Sequence, residues 1–331
     1  MIFIRKKVFI LFFLLFLISI PVFFFSLLLG AENLPFHALF SSREETLLLL
    51  NVRFMRMATA FLTGGSLSLA GCVYQAVLRN PLAEPYILGV SSGASLGVAL
   101  SFVTGTAAFS VYTVPGFAAA GAVLILTMVL LYGSAGKGTE SLLLAGVIAG
   151  TIASGFLVTL LSFADSREIS SVFWFLLGDL ASADPVLFRL FAVLVPVISI
   201  LLCLLAPKAD ILTLGNEYAW SMGIDPLKMT LLFAGLASLL AAMSAALAGI
   251  ISFVGLIIPH IIRKCSFHDN RVLFPASFFS GGIFLILCDL VSRSIFPERE
   301  IPVGVITALL GGPLFLWILH HKKHNGTGAT E

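Results

Sequence analysis

Long apolar runs separated by short polar stretches dominate the chain. They read as Val8–Leu29, Phe54–Leu78, Ile87–Thr104, Pro115–Tyr132, Ser141–Phe163, Pro185–Ala206, Met229–Ala248, Ile250–Ile262, Leu273–Ile295 and Val303–His320. Most approach the ~20 residues that a helix needs to cross a bilayer. They are too long and too uniformly apolar for barrel strands, and backbone amides in lipid must be satisfied internally. The expected fold is all-α membrane, with about ten transmembrane helices in one polytopic domain covering residues 1–331. Ile250–Ile262 is too short to cross alone and reads as a tilted or partial helix packed inside protein.

Composition agrees with this pattern. Hydrophobic residues make up 59% of the 331 positions and charged residues 11%, against roughly 25% charged in a soluble domain. Starting with the N-terminus in the cytoplasm and alternating the spans places twelve Lys and Arg residues inside and seven outside, with every lysine inside. The bias favours that orientation, with the C-terminus cytoplasmic as well. The run after Arg5-Lys6-Lys7 is longer than the ~7–15 residues of a signal-peptide core, so it reads as a retained first helix. Cys72, Cys203, Cys265 and Cys288 show no pairing or metal spacing and read as packing residues.

Small residues recur at helical spacing: Gly64-Gly65 with Ser68, Gly146 with Gly150 and Ser154, and Ala241 with Ala245 and Gly249. Such stripes let helix backbones approach closely, or line a pathway. A faint internal echo places Leu69-Ala70-Gly71 before Asn80-Pro81, and Leu247-Ala248-Gly249 before Pro259-His260, as inverted repeats would.

Three segments carry candidate chemistry. In Arg79–Pro85, Pro81 stops one helix and Pro85 can open the next. This short, stiff turn is either a plain connection or puts Asn80 and Leu82 at the inner mouth of a pore. The inner loop Pro207–Lys228 holds a short helix, Glu217–Met222, with Asn216 as its N-cap and Gly223 as the residue that ends it. Asp225-Pro226 then caps and opens the following span. Glu217-Tyr218-Ala219 followed by Gly223 fits the Glu-Ala-Ala-x-x-x-Gly pattern of importer coupling loops except at Tyr218. Outside, Arg53 and Arg56 share one helix face, and Arg293 follows Asp289 by four residues. These arginines are either local partners of Asp289 and the membrane edge, or a basic rim that docks an acidic delivery protein.

Other chemistries lack their residues. Gly136-Lys137-Gly138 fails the phosphate-loop pattern, so ATP hydrolysis by that route is not expected here. No span carries a mid-membrane relay of carboxylates or histidines, as proton-coupled carriers do. His260, beside Pro259 and Arg263, reads as structural. A secondary carrier of a small solute is the main rival reading, with a channel or an assembly scaffold behind it.

The chain resembles the FecCD-type permeases of ABC importers for iron–siderophores, haem and cobalamin. The stretches that carry the resemblance are Arg53–Arg56, Leu69-Ala70-Gly71 with Gln75, Arg79–Pro85 into Leu88–Ala94, and Gly178-Asp179-Leu180. Further ones are Phe253–His260 with Arg263, Asp289 with Arg293, Glu300–Gly304, and Gly311-Gly312-Pro313. Met55 stands where the family commonly has proline before the second arginine. The resemblance implies a type II ABC importer permease fold that works as a dimer, with a homodimer preferred over a heterodimer, in the cytoplasmic (inner) membrane of a bacterium. It implies two cytoplasmic ATPase subunits, which hold ATP and magnesium, and a periplasmic or lipid-anchored binding protein. Neither a cofactor in this chain nor nucleic acid is implied. Carried over by residue, Arg53, Arg56 and Arg293 dock the binding protein. Asn216, Glu217, Ala219 and Gly223 couple to the ATPase, and Asn80, Leu82, Thr139 and Ser141 lie near the inner gate. The cargo order read at this point is ferric siderophore, then haem, then cobalamin.

Overall fold

The computed structural model describes residues 2–30, 34–37, 43–135, 139–181, 184–265, 269–295 and 300–325. Among them are twelve α-helices and no strand. In chain order these are α1 (Ile2–Leu28), α2 (Glu44–Val77), α3 (Val90–Val103), α4 (Thr113–Ala135), α5 (Thr139–Leu161) and α6 (Ser166–Leu177). They continue with α7 (Pro185–Thr213), α8 (Asn216–Ser221), α9 (Pro226–Ala248), α10 (Val254–Lys264), α11 (Asn270–Ile295) and α12 (Val303–Asn325). Seven are long and apolar enough to cross a membrane: α1, α2, α4, α5, α7, α9 and α11. Shorter apolar stretches in α3 and α12, together with α10, account for the remaining predicted runs.

The organising element is α2. Its 34 residues extend about 50 Å at 1.5 Å per residue, well beyond the ~30 Å hydrocarbon layer. Every residue from Thr63 to Val77 is buried, so this half is enclosed on all sides, by α7, α9, α10 and α11. Close approach makes that possible. A Cβ on Gly64 would collide with the Gly281 backbone of α11, and one on Gly71 with the Gly255 backbone of α10. The small-residue stripe on α2 is therefore a packing face. By contrast only 6% of the α1 span is buried, which suits a helix that faces lipid. Helices α3, α4 and α5 pack on one another and reach the centre through α9.

α10 is the expected partial helix. Its 11 residues rise only about 16 Å, and Val254 to Pro259 with Ile262 are buried where it packs on α2 and α11.

Three expectations change. The Pro207–Lys228 segment is not all loop: α7 runs through Pro196 and Pro207 to Thr213. Ala206, Ala209 and Leu212 bury one face of the extension, and Asp210 accepts from the backbone and side-chain nitrogens of Asn270 at 3.1 and 2.7 Å. Tertiary contact thus outweighs the proline's missing donor. The stretch between Phe163 and Pro185 contains an amphipathic helix, α6, opened by a Glu168 carboxylate that accepts from the Asp165 amide at 2.9 Å, half of a capping box. Finally, Cys265 is exposed just past α10 and is not a packing residue, because the helix that would bury it has ended.

Candidate functional site

Chemistry gathers at the two ends of α2. At its start, Arg53 and Arg56 meet the end of α1. The last carbonyls of a helix have no amide partner within it and lie at the negative end of its dipole. Arg53 donates to the carbonyl oxygens of Leu27 and Leu28 at 3.0 and 2.9 Å. Arg293, from the last turn of α11, donates to the Ser26 carbonyl at 2.6 Å and its hydroxyl at 2.8 Å. Two arginines thus cap α1 from two different helices.

Arg56 completes the cluster. Its Nε donates to Asp289 Oδ1 at 2.7 Å, and a terminal nitrogen donates to Glu300 Oε2, also at 2.7 Å. The other Asp289 oxygen lies 3.4 Å from Arg293 Nε. Of the two readings left open for these arginines, the structure shows the local pairing with Asp289. Arg53 is 6% and Arg293 3% exposed. Arg56 and Glu300 are the members nearer the surface, at 13% and 39% side-chain exposure. The physical reason is that buried cations must be paired, and the partners, Ser26 to Leu28 and Glu300, come from remote chain segments.

At the far end of α2, Arg79 holds a left-handed backbone, φ 51°, a conformation that costs an L-residue about 1–2 kcal/mol. Its guanidinium donates to the Asn216 side-chain oxygen on α8. Asn216 is therefore the first residue of α8 and not its cap; Gly215 precedes the helix and no side chain caps it. The end of α8 follows expectation. Gly223, φ 74°, donates to the Trp220 carbonyl at 3.0 Å, and Ile224 donates to that of Ala219 at 2.9 Å, the paired bonds of a Schellman stop. Ala219 is buried, whereas Tyr218, Trp220 and Met222 are exposed, as is Glu217 in the first turn.

The turn after Arg79 is stiffened locally. The Asn80 side chain accepts from the Leu82 amide at 2.9 Å, and its carbonyl accepts from the Ala83 amide at 3.0 Å. Leu82 is exposed. Gln75 donates to the carbonyls of Gly255 at 3.0 Å and Ala83 at 3.3 Å while accepting from Arg263. Glu84 Oε1 accepts from the Phe253 amide at 3.0 Å. Burial pushes the Glu84 carboxyl above the ordinary carboxylate range, and the Phe253 amide draws it part of the way back. Thr139 starts α5 and Ser141 lies in its first turn; among the described residues Ser141 shares no hydrogen bond with Asn80 or Leu82.

Phe253 is itself left-handed, φ 71°. It closes the crossover from α9 to α10, a partly buried stretch of unwound backbone. There Ile250 donates to the Phe175 carbonyl at 3.0 Å, and Asp179 donates to that of Ala248 at 2.9 Å. Non-helical backbone at membrane depth is tolerated where protein satisfies it. The resemblance named Gly178-Asp179-Leu180 and Phe253–His260 separately; the structure joins Gly178 and Asp179 to the crossover residues Ala248, Ile250 and Ile251 that lead into the second stretch. Glu84 was missed as a partner, since nothing local marks a carboxylate that accepts from an amide 169 residues away.

A polytopic helical bundle with a buried hub and an unwound crossover is the architecture of a membrane permease, and the comparisons agree. The chain belongs to the FecCD transport family, whose model matches residues 14–321. It is 36% identical over 279 residues to the vitamin B12 import system permease protein BtuC of Salmonella arizonae, covering 84% of each chain. It is likewise 36% identical over 281 residues to that of Citrobacter koseri, covering 85% of this chain and 84% of the relative. A solved inward-facing conformation of a metal-chelate type ABC transporter superposes with TM-score 0.84 at 29% identity, covering 96% of this chain and 99% of the other. PsaBC from Streptococcus pneumoniae shares the fold, with TM-score 0.59, 18% identity and coverage of 80% and 90%.

Proposed function

We propose that the whole chain, residues 1–331, is one permease unit of an ATP-driven importer that brings a metal chelate into the bacterial cytoplasm. Two protomers, two cytoplasmic ATPase subunits carrying ATP and magnesium, and an external binding protein complete the machine. The observation that carries the reading is α8. It is a short helix with a built stop, it is exposed, and it presents Tyr218, Trp220 and Met222 outward like a docking surface. The lysine bias supports a cytoplasmic α8.

In this reading α8 and Glu217 meet the ATPase, and the adjacent Asn80–Leu82 turn, with Thr139 and Ser141, bounds the inner mouth. Arg56 and Glu300 face the binding protein, while Arg53 and Arg293 act behind them by fixing the ends of α1 and α11. Passage follows alternating access through weak, largely apolar contacts. The names of the relatives move cobalamin ahead of ferric siderophore and haem.

The test is uptake into liposomes containing the permease, its ATPase and its binding protein, with cyanocobalamin, ferric ferrichrome and haemin as probes. At least one probe should accumulate only with ATP, and accumulation should survive an uncoupler. Uptake that collapses with the proton gradient at constant ATP would instead establish a secondary carrier.

A further inference from the structure

The two non-glycine residues with positive φ among the described residues, Arg79 and Phe253, stand at opposite ends of one short path. Arg79 holds Asn216, the one side-chain hydrogen bond leaving α8 among the described residues. From Arg79 the chain enters the turn locked by Asn80. It then reaches Glu84, whose carboxylate holds the Phe253 amide, while Pro85 packs on Gly255. Beyond Phe253 the crossover is bonded to Phe175 and Asp179. Its Ile250 carbonyl lies against Gly304 at the start of α12. Strained backbone persists only where its surroundings over-determine it, and both strained residues here are pinned by a link of this path.

We propose that residues 79–84 are a rigid crank. Arg79 takes up movement of α8 through Asn216, and Glu84 delivers it to the α9–α10 crossover through the Phe253 amide. Arg79 and Glu84 are thus positioning residues for transport. The proposal rests on α8 being the ATPase contact. A loose turn would absorb such movement; this one has its amides and carbonyls tied at successive positions.

Two measurements test it. In the liposome system, probe moved per ATP hydrolysed should fall about fivefold or more for Arg79→Ala and for Glu84→Ala, with ATPase assembly retained. Because the links act in series, the double variant should fall no further than the worse single one. Glu84→Gln keeps an oxygen for the Phe253 amide and should stay near wild type. Wild-type ratios in the single variants, or a double variant whose loss is the product of the two, overturn the crank. Should Glu84→Ala fail to assemble, Arg79→Ala against Glu84→Gln decides alone, with loss required in the first only.

The second measurement needs no transport. In the permease alone, with the exposed Cys265 replaced by Ser, a Ser252→Cys reporter on the crossover is labelled with a maleimide. Arg79→Ala, more than 170 residues away in sequence, should change its labelling rate about fivefold. An unchanged rate overturns the crank whatever the protein carries. A changed rate in a protein whose uptake collapses with the proton gradient at constant ATP keeps the link from Arg79 to the crossover and sinks the importer reading.

Discussion

The two ends of α2 are held by opposite strategies. At the Arg56 end, three guanidinium groups, two carboxylates and the last carbonyls of α1 interlock α1, α2, α11 and the approach to α12. Most of these groups are buried and several have two partners. At the Arg79 end, single hydrogen bonds join a strained turn to α8 and to the crossover. Redundant charge pairing in a low dielectric makes a fixed frame, because breaking any one pair strands a charge. Single bonds on strained backbone make a joint that can be displaced. In the function proposed above, the fixed end is the one that docks the binding protein and the movable end is the one that the ATPase drives.

That contrast can be broken most forcefully at Asp289. Asp289→Ala leaves Arg56 with Glu300 alone and Arg293 without a carboxylate, and should cost about 3–5 kcal/mol, the usual loss when one partner of a buried pair is removed. Thermal unfolding in detergent measures it. An unchanged midpoint would mean the frame is no frame. A smaller effect is expected at the joint. A Cβ at Gly223 would meet no neighbouring atom within 4 Å, so the main cost of Gly223→Val is the left-handed backbone, about 1–2 kcal/mol. Unfolding of the bundle should stay as it was, while ATPase stimulation by loaded binding protein is lost. Retained stimulation would remove α8 from the coupling path. The smallest effect belongs to Glu300→Gln. Glu300 is partly exposed and Arg56 keeps Asp289, so stability should change by less than about 1 kcal/mol. Because the delivery protein is read as acidic, binding-protein affinity should strengthen at low salt if this edge docks it.

Much of the architecture was legible because it is local. Asp184-Pro185 and Asp225-Pro226 begin α7 and α9 with side-chain caps at 2.8 and 3.1 Å. Gly223 ends α8 in the left-handed conformation that its position after the helix suggested. The Asp165-to-Glu168 spacing was equally local, but the apolar run it leads into, Val172–Leu177, is too short to span a bilayer and was passed over. Asn216 looked like a cap by residue type, yet its oxygen is taken by Arg79, from 137 positions away.

By itself the sequence determined the membrane class, the spans and the sites of most turns, since lipid forces every apolar run into helix and prolines and glycines punctuate locally. Which groups a charge meets was decided only by tertiary structure. Arg53 and Arg293 read equally as a rim or as local partners until the end of α1 is placed against them, and Glu84 reads as a loop carboxylate until the Phe253 amide arrives. A buried charge or amide takes whatever partner the packing brings within reach, and that partner is seldom near in sequence.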